Sequence, residues 1–229
     1  VYEEGVAYRY LLEGTQGETE AISEEVSEFV LPSDSVIWAG YDTAGNYEYE
    51  YQKVKMSTVK SASAKYSVPL LANSGDNWML FTEADVFSRE DTYCCSHLET
   101  SAGTRNLKFS FGKGSGNSLT MTYDEQGTIR TPWRVAIAAD NLNDIVNATM
   151  TSSLNPEADE TLFQDSESWI KTGTVAWSWW SEAGDDPIEY DQQKDYIDFA
   201  AENNWEYVCL DFGWLDYSQE LSLIHISEP

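Results

Sequence analysis

Two kinds of residue in this sequence could do chemistry: carboxylates that interrupt apolar runs, and tryptophans that stand beside them. Glu83 follows the apolar run Trp78-Met-Leu-Phe81 in the segment Leu80-Phe-Thr-Glu-Ala-Asp85. Asp85 adds a second acid two residues on, and hard oxygen donors of this kind suit calcium. Two acids are not a loop motif, and the sequence holds no EF-hand pattern. Asp211 closes another apolar run, Tyr207-Val-Cys-Leu-Asp211, and leads into Phe-Gly-Trp214. A carboxylate that ends a buried strand requires a partner or solvent. Trp179 and Trp180 close a third run, Thr174-Val-Ala-Trp-Ser-Trp-Trp180. Tryptophans beside a carboxylate suit sugars, because the ring packs on pyranose C–H surface while the carboxylate accepts hydroxyl hydrogen bonds. Trp177 and Trp179 could equally alternate inward as core, and the residues alone leave both readings open.

The other reactive residues point to little. Cysteines stand at 94, 95 and 209, an odd number that excludes a fully paired intramolecular framework. Cys94, Cys95 and His97 crowd together, but a structural zinc site takes four ligands, usually from two separated pairs, and the second pair is missing. Asn147-Ala-Thr149 fits the glycosylation sequon, which is uninformative without a compartment.

The elements that must position these residues change character along the chain. Residues 5–12, 26–31, 47–59, 66–71, 77–82, 106–112 and 118–123 are short runs rich in Val, Tyr, Phe, Trp and Thr. Several alternate, as in Leu107-Lys-Phe-Ser-Phe111, and period two predicts strands with one buried face. Clusters of Gly, Asn, Ser and Asp separate them, which predicts a β-sandwich. Thr131–Ala138 is a last apolar strand, residues 141–153 are helical or irregular, and 155–168 form a polar linker or crossing segment. Beyond it, a strand at 174–180, a helix at about 191–203 and a strand at 207–211 predict parallel pairing through a crossover. In parallel α/β folds the working residues sit at the C-terminal ends of strands. That rule selects Trp179, Trp180, Asp211 and Trp214.

The chain has 229 residues with a formal charge of −27 at neutral pH. Its length is ample for a hydrophobic core, and 41% hydrophobic residues exclude disorder by composition. Nucleic-acid binding needs a basic face, which the charge argues against. No apolar run is long enough for a transmembrane helix. The acidity reads as a solvated surface that resists aggregation, or as an adaptation to salt.

Taken in order, Gly5-Val-Ala-Tyr-Arg-Tyr10, Glu25-Val-Ser-Glu-Phe29, Phe81-Thr-Glu-Ala-Asp85, Thr131-Pro-Trp-Arg-Val135, Val175-Ala-Trp-Ser-Trp-Trp180, Tyr196–Ala201 and Leu210-Asp-Phe-Gly-Trp214 resemble glycoside hydrolase family 97. The resemblance implies an N-terminal mutarotase-like β-sandwich, here residues 1–158, followed by a (β/α)₈ barrel. Residues 159–220 have room for the first two barrel units, since a full barrel takes about 250 residues. The resemblance also implies calcium-dependent, exo-acting hydrolysis of α-glucosides or α-galactosides, with an oligosaccharide substrate and a periplasmic or secreted bacterial location. Glu83 falls at the family's Thr-Glu-Ala motif, which implies a calcium ligand. The catalytic carboxylates are implied beyond the residues of this chain, so the chain alone is expected to be inactive.

Both ends look cut. The chain begins at Val1, inside what reads as a strand, so a signal peptide could lie upstream. The last nine residues, Leu221–Pro229, resemble the translation of a transposase adapter used in sequencing libraries; a short amphipathic strand is the alternative. Two other functions stay in view. A carbohydrate-binding sandwich without catalysis would need no strand–helix–strand tail. A mutarotase-like epimerase would need a general acid/base, for which His97 is the one candidate.

Overall fold

The structure, a computed structural model, describes residues 3–32, 34–40, 50–59, 64–86, 96–100, 106–111, 119–181 and 190–211. The chain divides into two compact units, Val1–Glu157 and Ala158–Pro229.

The first unit is built of short antiparallel strands. They are β1 (Gly5–Tyr8), β2 (Leu11–Glu13), β3 (Thr19–Ile22), β4 (Glu28–Val30), β5 (Val36–Ala39), β6 (Gln52–Lys55) and β7 (Ala64–Tyr66). There follow β8 (Leu70–Ser74), β9 (Asn77–Ala84), β10 (Ser96–Thr100), β11 (Asn106–Phe111), β12 (Leu119–Thr122), β13 (Thr128–Arg130) and β14 (Trp133–Ala139). One sheet has six strands in the order β1-β14-β9-β8-β5-β6, and a second has four in the order β4-β11-β10-β7. Two further pairs, β3 with β12 and β2 with β13, stand apart from these.

Period two decides what faces what. Ile37 and Ala39 of β5, Leu70 and Ala72 of β8 and Phe81 of β9 share one core with Tyr66 of β7, Leu98 of β10 and Leu107 and Phe109 of β11. Those residues come from both sheets, so the unit is a sandwich with its core between them. Phe29 of β4 lies across the interior, 4.9 Å from Phe81 and 6.0 Å from Phe109 between ring centroids. The opposite face of the six-stranded sheet carries Val135, Ile137, Ala84 and Leu80. Two short helices, α1 (Leu142–Asn147) and α2 (Met150–Ser153), cover it with Ile145 and Met150. The Asn141 side chain caps α1 by accepting from the Asp144 N–H.

Some strands differ from expectation for identifiable reasons. The run 66–71 is two strands in different sheets, because Pro69 lacks the N–H that would continue a ladder. Of the run expected over 47–59, residues 47–49 lie outside the described residues, and the rest holds β6 followed by a 3₁₀ turn over Met56–Thr58 that drops Met56 into the core. β3, β5, β10 and β13 were not anticipated; β3, Thr-Glu-Ala-Ile, is mostly exposed and carries no alternating apolar signal.

The second unit contains α3 (Ser166–Trp169), β15 (Val175–Trp177), α4 (Ser178–Ser181), α5 (Tyr190–Glu202) and β16 (Tyr207–Cys209). β15 and β16 pair in parallel, Val175 opposite Tyr207, Ala176 opposite Val208 and Trp177 opposite Cys209. The first strand is three residues, not seven: Ser178 to Ser181 turn into α4, so Trp179 and Trp180 stand on a helical turn. In α5, Gln193 and Ala200 are the buried positions, two turns apart on one face. Phe199 is half-exposed and meets Trp205 edge-on at 5.2 Å.

Candidate functional site

Glu83 is placed inside the sandwich by strand geometry. Met79 and Phe81 of β9 point into the core, so Glu83, two residues further on, points the same way. On β14 Ala136 packs on that core and Arg134 occupies the same face, directly opposite Glu83 in the ladder. Arg134 is fully buried. Its Nη1 donates to Glu83 Oε1. Its Nε and Nη2 donate to Oε1 and Oε2 of Glu25 at 2.9 and 2.5 Å, a two-point clamp. The guanidinium lies 4.4 Å over the Phe109 ring of the facing sheet. Ser27 Oγ adds a hydrogen bond to Glu25 Oε1 at 2.5 Å.

Asp85 forms a second station at the end of β9. Its backbone is left-handed, with φ of 56°, an uncommon conformation for a residue other than glycine. Two groups hold it there. Arg9 Nη1 donates to its carboxylate at 2.9 Å, and the Arg9 guanidinium stacks 4.6 Å over Trp133. The Asp85 N–H donates to Asn155 Oδ1 at 2.7 Å. Nearby, the Tyr10 N–H donates to Thr131 Oγ1 at 3.0 Å. Burial pushes the Tyr8 phenol above its ordinary value, partly offset by its hydrogen bond with Ser27. Segments Gly5–Tyr10, Glu25–Phe29, Phe81–Asp85 and Thr131–Val135, far apart in sequence, thus supply two charged clusters, Arg9 with Asp85 and Arg134 with Glu25 and Glu83.

In the second unit Asp211 lies two residues beyond Cys209, at the C-terminal end of β16, and accepts a hydrogen bond from Trp177 Nε1 at 2.7 Å. Trp179 is 42% exposed. The side chain of Trp180 and all of Trp214 lie outside the described residues. Trp177 also lines an apolar cavity of about 650 Å³ together with Val175, Tyr196, Phe199 and Trp205. Glu206 accepts from the Thr174 N–H at 2.8 Å, and that bond holds its carboxyl below the ordinary value.

His97 stands on β10, nearly buried, with Nε2 3.0 Å from Glu99 Oε1. Burial raises the Glu99 pKa, but hydrogen bonds with His97 and Ser110 outweigh it and the net shift is downward. Cys94, Cys95 and the tail 221–229 lie outside the described residues, and Cys209 is a free thiol. Among the described residues no three His, Cys, Asp or Glu side chains gather as a metal site. Calcium takes about six to eight oxygen ligands. Glu83 has the oxygen chemistry for such a donor, but it is buried and bonded to Arg134, and the described residues do not build a shell around it.

Arg134, Glu25, Arg9 and the role of Trp177 were missed in the sequence. The usable signal for Arg134 was its inward register in Trp133-Arg-Val-Ala-Ile, where an apolar side chain is expected. Glu25 had none, because its partner is 109 residues away.

An antiparallel sandwich followed by a parallel strand–helix–strand unit defines a protein of the β-sandwich plus α/β class. The family model Glycosyl-hydrolase 97 N-terminal matches residues 1–156, and the chain belongs to glycoside hydrolase family 97. A probable retaining alpha-galactosidase of Streptomyces bingchenggensis is 29% identical over 220 residues, covering 93% of this chain and 30% of that protein. A retaining alpha-galactosidase of Bacteroides thetaiotaomicron is 27% identical over 246 residues, covering 93% and 36%. The chain thus spans about a third of the length of the curated relatives it matches. Structures of a family 97 enzyme from Pseudoalteromonas sp. strain K8 share the fold. Its complex with acarbose has a TM-score of 0.69 at 21% identity, covering 94% of this chain and 33% of that one. An arginine-to-lysine variant of it has the same TM-score at 22% identity, covering 90% and 31%.

Proposed function

We propose that this chain is the sandwich and the opening of the (β/α)₈ barrel of an exo-acting glycoside hydrolase that removes α-galactosyl or α-glucosyl units from oligosaccharides. The observation that carries this is the family match over residues 1–156. The two retaining alpha-galactosidases that align along 93% of the chain favour α-galactosides and a retaining course.

Glycoside hydrolysis needs two carboxylates, about 5 Å apart for retention and about 6.5–9.5 Å for inversion. Neither is assigned here; the reading puts them in the two thirds of the relatives that this chain does not span. What the chain contributes is recognition. Trp179, with Trp180 and Trp214 beside it in the motifs, offers ring faces to pyranose C–H surface. Asp211 accepts hydroxyl hydrogen bonds at the strand end. Calcium belongs to the reading through the resemblance, with Glu83 the ligand this chain would supply. A bound ion would place positive charge beside substrate oxygens. A periplasmic or secreted location completes the proposal.

The test uses the product of the complete gene with aryl α-galactoside and aryl α-glucoside. Hydrolysis of the galactoside, lost on chelation and restored by calcium, is expected. Turnover indifferent to chelation would remove calcium from the account, and turnover of neither substrate would remove the enzyme.

A further inference from the structure

We propose that Trp177 is a positioning residue for sugar recognition: its indole N–H holds the Asp211 carboxylate in place at the end of β16 for a substrate hydroxyl. The inference rests on the reading of Asp211 as a sugar contact given above. Its geometry comes from the parallel pair. Trp177 is the last residue of β15 and lies opposite Cys209 in the register. Asp211, two residues beyond Cys209, returns to the same side of the chain. The result is the 2.7 Å bond from Trp177 Nε1 to Asp211 Oδ2 at the C-terminal ends of both strands.

The chemistry of the two groups sets the division of labour. An indole nitrogen only donates, so it can join a carboxylate but can accept nothing from a sugar hydroxyl. A carboxylate offers about four lone-pair sites, and the indole occupies one. Fixing Oδ2 sets the plane of the carboxyl group and hence the direction from which a hydroxyl can donate. The Trp177 ring is committed elsewhere, as a wall of the apolar cavity with Tyr196, Phe199 and Trp205. Trp179, two residues on and 42% exposed, is the one with a face to offer. The neighbouring turn is held in a similar way, where Gln193 Nε2 of α5 donates to Ser178 Oγ at 3.0 Å. Trp177 thus works through Asp211, and Trp179 works on the sugar itself.

A double-mutant cycle in the complete gene product tests this, with aryl α-galactoside as the probe. Trp177→Phe keeps an aromatic wall for the cavity and deletes only the donor. It should raise KM about tenfold with little change in kcat, the size of one charge-assisted hydrogen bond. Asp211→Asn should raise KM by as much or more. In the Asn background, adding Trp177→Phe should then cost less than twofold, because its partner's charge is already gone. Two multiplying effects, or a Trp177→Phe enzyme with unchanged KM, would overturn the proposal. An unchanged KM in Asp211→Asn alone would instead overturn the sugar reading on which it rests. If Trp177→Phe does not fold, the Trp177 Nε1–H resonance decides: it should move upfield in Asp211→Asn, and an unmoved resonance overturns the proposal.

Discussion

Arg134 shows what one side chain can carry in this fold. It is buried between two sheets, holds Glu25 with two bonds and Glu83 with a third, and rests on Phe109. Arg134→Met removes the buried guanidinium that bonds both Glu25 and Glu83 inside the sandwich. That should cost about 3–5 kcal/mol, read as a lower midpoint in urea unfolding. Arg134→Lys should recover little, because an ammonium cannot span Glu25 and Glu83 at once. A midpoint unchanged by either variant would mean the node is not formed. Glu99 makes a smaller prediction with a definite sign. Its folded pKa lies below the ordinary 4.5, so its stabilisation is present above that value and is lost as pH falls through the depressed one. The thermal midpoints of wild type and Glu99→Gln should therefore differ at pH 6 and converge in acid. At this scale the sequence was half legible. Glu83 and Asp211 stood out because each interrupts an apolar run. Arg9, Glu25 and Arg134 did not, since their partners are brought from 76, 109 and 51 residues away.

The elements were easier to read where a strand has one wet face and one dry face. β9, β11 and β12 fall within two residues of expectation because their alternation or apolar run is intact. β3 and β13 escaped notice because each is short and pairs only with one strand outside the main sheets. Trp179 was taken as the end of a strand, yet the chain turns helical at Ser178. Close packing of elements gives a further prediction at Gly5. A Cβ there would lie 2.1 Å from the Ala136 carbonyl oxygen, on the strand that pairs with β1. Backbone cannot yield as a side chain can, so Gly5→Ala should pull β1 away from β14. Amide exchange should then quicken along Val6–Tyr8 while β8 and β9 stay protected. Unchanged exchange in β1 would refute the close approach.

At the scale of the whole molecule, the sequence alone announced a β region followed by an α/β region, and the described residues contain both. Composition and charge could only exclude classes of partner; −27 over 229 residues says nothing about a neutral substrate. Identity came from ordered segments, and the fold shows why four of them travel together. Gly5–Tyr10, Glu25–Phe29, Phe81–Asp85 and Thr131–Val135 supply the two arginines and three acids of two charged clusters, so a change in one segment disturbs its partner in another. The chemistry of the reaction was not legible, because the stretch matched spans about a third of the curated relatives. The central claim, a retaining α-glycosidase, is tested most directly by proton NMR of the sugar released from aryl α-galactoside by the complete gene product. The account predicts that α-galactose appears first and mutarotates afterwards to the equilibrium mixture. First appearance of the β anomer, or no released sugar from either the galactoside or the glucoside, would contradict it.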